Sequence, residues 1–137
     1  MIAVDTNVLA RFYCDDPADP EARRQRPAAR RIITGSPALF VALSVVLELE
    51  WVMRGFYELV PQQVCSVLEH LLGMPHVTVE RWEIVKDAID LHRQGIDFAD
   101  AVHWASSRGC DSFLSFDKAL VRGSTRLGLG PPIALPT

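Results

Sequence analysis

A chain of 137 residues, 49% hydrophobic and 23% charged, has the size and apolar content of one domain over 1–137 and excludes a disordered segment. Its longest apolar stretch, Leu39 to Leu47, is interrupted by Ser44 and falls far short of the roughly 20 residues of a membrane helix. Fourteen basic against seventeen acidic residues, net −3, argues against holding nucleic acid by bulk positive charge but leaves room for a nuclease with an acidic centre.

Ile2-Ala3-Val4 is a short apolar run ending at Asp5, which predicts a buried first strand, followed by a short helix over Thr6 to Phe12. Asp19-Pro20-Glu21 supplies an N-cap, a first-turn proline and a first-turn acid for a second helix. Pro27 should kink that helix and Gly35-Ser36-Pro37 should end it. Leu39 to Ala42 is the second strand. Ser44 is a candidate cap for a helix to Arg54, with Val45, Leu49, Val52 and Met53 as its core stripe. Pro61 opens the next helix and Gly73-Met74-Pro75 closes it. Val77 to Val79 is the third strand, and a helix from Trp82 to His92 follows, ended near Gly95. The next helix runs from Asp97 to Ser107, with Phe98, Ala101, Val102 and Ala105 buried. Ser112 to Ser115 is the fourth strand, Asp117 to Val121 a short helix, and Ile133 to Leu135 the last strand. Strands alternating with amphipathic helices predict a parallel sheet covered on both faces, with ligands at the carboxyl ends of the strands.

The acids cluster where that rule points. Asp5 follows the first strand and Asp117 the fourth; Asp97 and Asp100 lie in the first turn of one helix, on a stripe with Trp104 and Arg108. On the Ser44 helix, Glu48 and Glu50 face opposite ways, and periodicity does not choose between them. Two carboxylates about 5 Å apart repel by roughly 3 kcal/mol at an effective dielectric of 20. A hard cation such as Mg²⁺ relieves that repulsion and can activate water against a phosphodiester. The plainer account is that first-turn acids are favoured by the helix dipole alone. No His pair has zinc-hydrolase spacing, and Cys14, Cys65 and Cys110 form neither a zinc motif nor an evident disulfide framework, which suits a reducing, cytoplasmic setting. Asp5 also interrupts the region where a signal peptide would be apolar.

Met1-Ile2-Ala3-Val4-Asp5-Thr6-Asn7-Val8-Leu9 resembles the opening of PIN-domain proteins, in particular the VapC-type toxins of bacterial toxin–antitoxin pairs. The resemblance continues through Asp15-Asp16-Pro17, Ser44-Val45-Val46-Leu47-Glu48-Leu49, Trp51-Val52-Met53, Asp97-Phe98-Ala99-Asp100-Ala101 and Ser115-Phe116-Asp117. It implies a three-layer α/β/α sandwich on a five-stranded parallel sheet of order 3-2-1-4-5. It also implies a Mg²⁺- or Mn²⁺-dependent endoribonuclease, a homodimer, and assembly with a VapB-type antitoxin. Matched position by position, Asp5, Glu48, Asp100 and Asp117 correspond to the family's acidic quartet, for catalysis and metal binding. The resemblance thereby selects Glu48 over Glu50. Thr6, Asn7, Asp97 and Ser115 match its supporting polar positions.

Arg23, Arg24, Arg26, Arg30 and Arg31 form the one basic cluster, readable as a phosphate contact or as a solvated helix face. Trp51, Trp82 and Trp104 could stack on unpaired bases; Trp51 and Trp82 are expected in core or interface, and Trp104, near Asp100, is the better candidate for either role. His103 lies off the acid stripe and is expected to be structural, and the apolar run Val60 to Leu72 exceeds what one sheet face needs, leaving surface for a second subunit. Two rivals remain. A receiver domain needs an aspartate after the third strand, where the chain has Glu80-Arg81-Trp82. A non-catalytic PIN-like RNA-binding or scaffold module shares the fold, and the complete quartet argues against it.

Overall fold

A computed structural model describes residues Met1–Thr137. The elements run β1 (Ile2–Ala3), α1 (Thr6–Tyr13), α2 (Pro20–Gly35), β2 (Leu39–Val41), α3 (Leu43–Gly55), α4 (Pro61–Gly73), β3 (Val77–Val79), α5 (Trp82–Arg93), α6 (Phe98–Ala105), β4 (Phe113–Leu114), α7 (Lys118–Leu127) and β5 (Ile133–Ala134). The predicted order of strands and helices is reproduced. The chain forms two compact units, Met1–Trp82 and Glu83–Thr137.

In the first unit β1, β2 and β3 form a parallel sheet in that order, with Ile2 opposite Leu39 and Leu39 opposite Val77. Parallel pairing forces each connection to cross over, and the crossovers are the helix pairs α1–α2 and α3–α4. The core is built from Leu9, Ile33, Leu39, Val41, Leu49, Met53 and Leu68, all fully buried. β1 departs from expectation: Ile2 and Ala3 are exposed, and the buried member of the run is Val4. In α2, Asp19 accepts from the Glu21 N–H at 3.0 Å, and the helix continues through Pro27 to Gly35.

Two expectations for α3 are corrected. Ser44 does not cap it. The helix begins at Leu43 after Ala42, and the Leu43 N–H donates to Glu80 Oε1 at 2.8 Å, so the cap comes from a carboxylate 37 residues along the chain. The buried stripe is Val46, Leu49, Glu50 and Met53: Leu49 and Met53 are as predicted, while Val46 and Glu50 are buried in place of Val45 and Val52. Glu50 is thereby carried inside, where Arg54 Nε donates to its carboxylate at 2.9 Å, and Glu48 is left exposed.

In the second unit β4 and β5 pair in parallel, Phe113 opposite Ile133. Gly95, at φ +101°, makes the turn between α5 and α6 in a conformation few other residues adopt. α7 runs six residues beyond the predicted Val121, because the Ser124 and Thr125 hydroxyls bond back to the Val121 carbonyl, both at 2.9 Å, and do not break the helix. Gly123, inside α7, serves packing: a Cβ there would meet Ile96 Cδ1 at 2.9 Å. Trp104 is 2% exposed, with its Nε1–H bonded to the Pro131 carbonyl at 2.8 Å; it is a core residue and not a stacking platform.

The strands therefore form two ladders, β1-β2-β3 and β4-β5, and not one five-stranded sheet of order 3-2-1-4-5. Hydrophobic pattern identifies strands without dictating their neighbours. At two residues each, β1 and β4 carry little pairing information of their own.

Candidate active site

The C-terminal unit brings three of the predicted acids to one place. Asp97 is the N-cap of α6, its Oδ2 accepting from the Asp100 N–H at 3.2 Å. Asp117 is the N-cap of α7, its Oδ1 accepting from the Leu120 N–H at 3.1 Å. The Ser115 hydroxyl accepts from the Asp117 N–H at 3.0 Å and sets the turn that presents the carboxylate. Asp97, Asp100 and Asp117 line one cleft of about 560 Å³, together with Ala119, Arg122, Gly123 and Arg126 of α7.

The electrostatics of that cleft fall on Asp100. Its carboxyl is pushed above the usual range, first by burial, then by the charges of Asp97 and Asp117, against a smaller opposing pull from His103. A carboxyl whose ionisation is opposed by burial and by two neighbouring acids is one that a nearby cation would favour in its charged form.

The N-terminal unit holds the other two acids of the predicted quartet. Asp5 caps α1, its Oδ1 accepting from the Thr6 N–H at 2.7 Å. Thr6 is 2% exposed and its Oγ1 has no hydrogen-bond partner, an unspent polar atom beside Asp5. Asn7 is exposed and lines a cleft of about 220 Å³ with Arg11, Gln25 and Ile32. Glu48 projects from α3 into solvent. No group of three or more His, Cys, Asp or Glu side chains is arranged to hold a metal ion.

Sequence reasoning missed some neighbours. His103 acts on Asp100, one helical turn away. Arg122 and Arg126 fall on the cleft-lining face of α7 with Ala119 and Gly123, at i, i+3, i+4 and i+7. That face was invisible while the helix was ended at Val121. Arg126 is pinned by the Gln94 carbonyl at 3.0 Å. The remaining histidines are engaged elsewhere: His70 with the Tyr13 hydroxyl, His76 with the Ile33 carbonyl and His92 with the Ile96 carbonyl. Trp51 and Trp82 are 63% and 52% exposed and so are not core. α4 buries Val64, Cys65, Leu68 and Leu71, so Val60 is the exposed large apolar side chain of the run from Val60 to Leu72; Trp51 and Phe56 of the same unit are exposed as well.

The PIN domain family matches residues 2–124. Among solved structures, the chain is similar to the VapC20 toxin of Mycobacterium tuberculosis, described as cleaving the sarcin-ricin loop. Identity is 19%, over 88% of this chain and 92% of that one, with a TM-score of 0.44. No curated protein sequence matches. No helix is long and apolar enough to cross a membrane.

Proposed function

Because this chain belongs to the PIN-domain family, we propose that it is a divalent-metal-dependent endoribonuclease, a VapC-type toxin kept silent by a VapB-type antitoxin in the cytoplasm. The observation that carries the reading is the cleft lined by Asp97, Asp100 and Asp117, in which burial and the other two acids raise the carboxyl of Asp100. An all-oxygen donor set with excess negative charge fits Mg²⁺ or Mn²⁺. Asp5, Glu48, Asp100 and Asp117 are assigned as ligands, with Glu48 as ligand or water-orienting group, and Thr6, Asn7, Asp97 and Ser115 as support. Held there, such an ion would supply Lewis acidity toward a phosphoryl oxygen and lower the pKa of bound water.

The chain's own residues do the positioning. Ser115 fixes the turn before Asp117, and the α6 cap from Asp97 fixes the backbone of Asp100. Three of the four histidines are tied to structural partners, which leaves no pair to run acid–base chemistry through the ribose 2′-hydroxyl. Water attack with 5′-phosphate and 3′-hydroxyl products follows. A toxin of this kind acts as a homodimer, for which exposed Trp51, Phe56 and Val60 supply apolar surface, and joins its antitoxin in a hetero-oligomer.

A second reading has an observation of its own. Asp5, Asp97 and Asp117 each already serve as a helix N-cap, as a non-catalytic RNA-binding or scaffold module would need. One assay separates the two: RNA cleavage with Mg²⁺ or Mn²⁺, with and without EDTA, by wild type and Asp100→Asn. The nuclease reading expects metal-dependent cleavage that the substitution abolishes. Full cleavage by the variant or in excess EDTA overturns the metal centre, and binding without cleavage in either metal supports the module.

A further inference from the structure

No arginine of α2 is among the residues that line the acidic cleft, and their arrangement is unfavourable for a helix that answers only to solvent. Arg23, Arg24, Arg30 and Arg31 are exposed, and none of their guanidiniums has a hydrogen bond or ion pair within the chain. Arg26, between them, is neutralised by Asp15 at 2.6 Å. At 3.6 residues per turn, Arg24 and Arg31 lie opposite the buried stripe of Ala22, Ala29 and Ile33, with Arg23 and Arg30 flanking them. A self-stabilising helix places opposite charges three or four residues apart. Here Arg23, Arg26 and Arg30 follow one another at that spacing, and of the three only Arg26 has an acid paired with it. The nearby acids are committed elsewhere: Asp19 to the Glu21 N–H and Glu21 to the Gln25 amide. Arg23 and Arg24, with Pro20, line a shallow concavity of about 400 Å³. In a chain of net charge −3, this is a concentrated, unanswered positive surface.

We propose that the outward face of α2 is a docking surface for the RNA backbone, on which Arg23, Arg24, Arg30 and Arg31 hold phosphates of the substrate strand. This rests on the nuclease reading for its choice of polyanion. Phosphate contacts of this type set register and affinity without reading sequence. They release counterions, so each contact to a single strand contributes about 0.7 to the slope of log affinity against log salt. Four contacts contribute up to about 2.8. Between about 50 and 200 mM salt, that is about 50-fold more affinity lost by the wild-type face than by one without it.

The test is fluorescence anisotropy with labelled single-stranded RNA in EDTA, using a cleavage-silent Asp100→Asn background. One arm carries Arg23, Arg24, Arg30 and Arg31 all replaced by Gln, and a second carries the same four replaced by Lys. The Gln arm is expected to lower the salt slope by up to about 2.8, and the Lys arm to keep most of it, which shows that charge and not folding is responsible. An unchanged slope in the Gln arm overturns the proposal. So does RNA binding that stays intact while binding to polyglutamate is lost, since that assigns the face to an acidic protein. The measurement contains no turnover, so the two readings fail separately. A flat slope with metal-dependent cleavage sinks only the docking face, and a falling slope without cleavage in any metal sinks only the nuclease.

Discussion

Asp117 is asked to do two things, to cap α7 and to carry negative charge into the cleft, and two substitutions separate them. Asn keeps an acceptor for the Leu120 N–H and removes the charge; Ala removes both. Loss of a capping side chain costs about 1 kcal/mol, within a range of roughly 0.5–2, and exposed Asp117 belongs at the lower end, whereas Asn caps about as well as Asp. The Ser115 contact is to the Asp117 backbone N–H, so it survives both changes. Relief of Asp100 from a neighbouring charge is also common to both and cancels in the comparison. For 137 residues at about 2.1 cal/mol/K each, the unfolding entropy makes 1 kcal/mol worth about 3.5 °C. Calorimetry in EDTA should therefore show Asp117→Ala melting about 2–4 °C below Asp117→Asn. A fluorogenic RNA assay in Mg²⁺ should find both inactive. Activity in the Asn variant would show that the aspartate serves only the fold, and equal melting of the pair would show that the cap is not worth what its geometry implies.

The raised carboxyl of Asp100 gives a pH dependence whose sign is fixed. A carboxyl whose folded value lies above its unfolded one, near 3.9, destabilises the native state above the folded value, and the penalty disappears as pH falls through that window. Asp100→Asn should then be slightly more stable than wild type at pH about 7 in EDTA, with the gap closing toward pH about 4 in urea titrations; a gap that widens on acidification contradicts the assignment. Gly123→Ala trades about 1 kcal/mol of helix propensity against a Cβ at 2.9 Å from Ile96 Cδ1, so alone it should be neutral to destabilising. In an Ile96→Val background, which lacks Cδ1, the same change should stabilise by up to about 1 kcal/mol, and additive behaviour in the double-mutant cycle rules out the clash. Trp104→Phe leaves the buried Pro131 carbonyl without its donor and should cost about 1–3 kcal/mol in chemical denaturation; a change near zero shows that water replaces the indole.

Legibility from sequence followed the range of the interaction. Asp19-Pro20 at the start of α2, Pro61 at the start of α4 and the stripe Phe98, Ala101, Val102, Ala105 in α6 are local patterns, and the structure reproduces them. The start of α3 failed because its cap arrives from Glu80, and nothing near Ser44 signals a carboxylate 37 residues away. The stripe of α3 was half legible: Leu49 and Met53 are buried as predicted, but an acid such as Glu50 is not expected on a buried face until Arg54, one turn on, is seen to pair with it. The choice between core and stacking for Trp104 stayed open because a mixed helix face does not reveal that its indole meets a carbonyl 27 residues later. Of the acidic residues, Asp97, Asp100 and Asp117 were legible as occupants of one cleft because each sits at or within the first turn of a helix. Strand order was never in the pattern and came from resemblance alone.

The coincidence of cap and acid has a genetic consequence. Asp5, Asp97 and Asp117 bond the N–H of Thr6, Asp100 and Leu120 through side-chain oxygens that asparagine also possesses. An aspartate codon becomes an asparagine codon by one transition at its first base. At Asp5 and Asp117, where the proposed chemistry needs the charge and the helix needs only the oxygen, a single nucleotide separates a harmful allele from a silent one that still folds. A cell that loses its means of restraint is therefore expected to yield survivors carrying Asn at these two codons more often than Ala, Gly or Val, which are also one base away but forfeit the cap or weaken it.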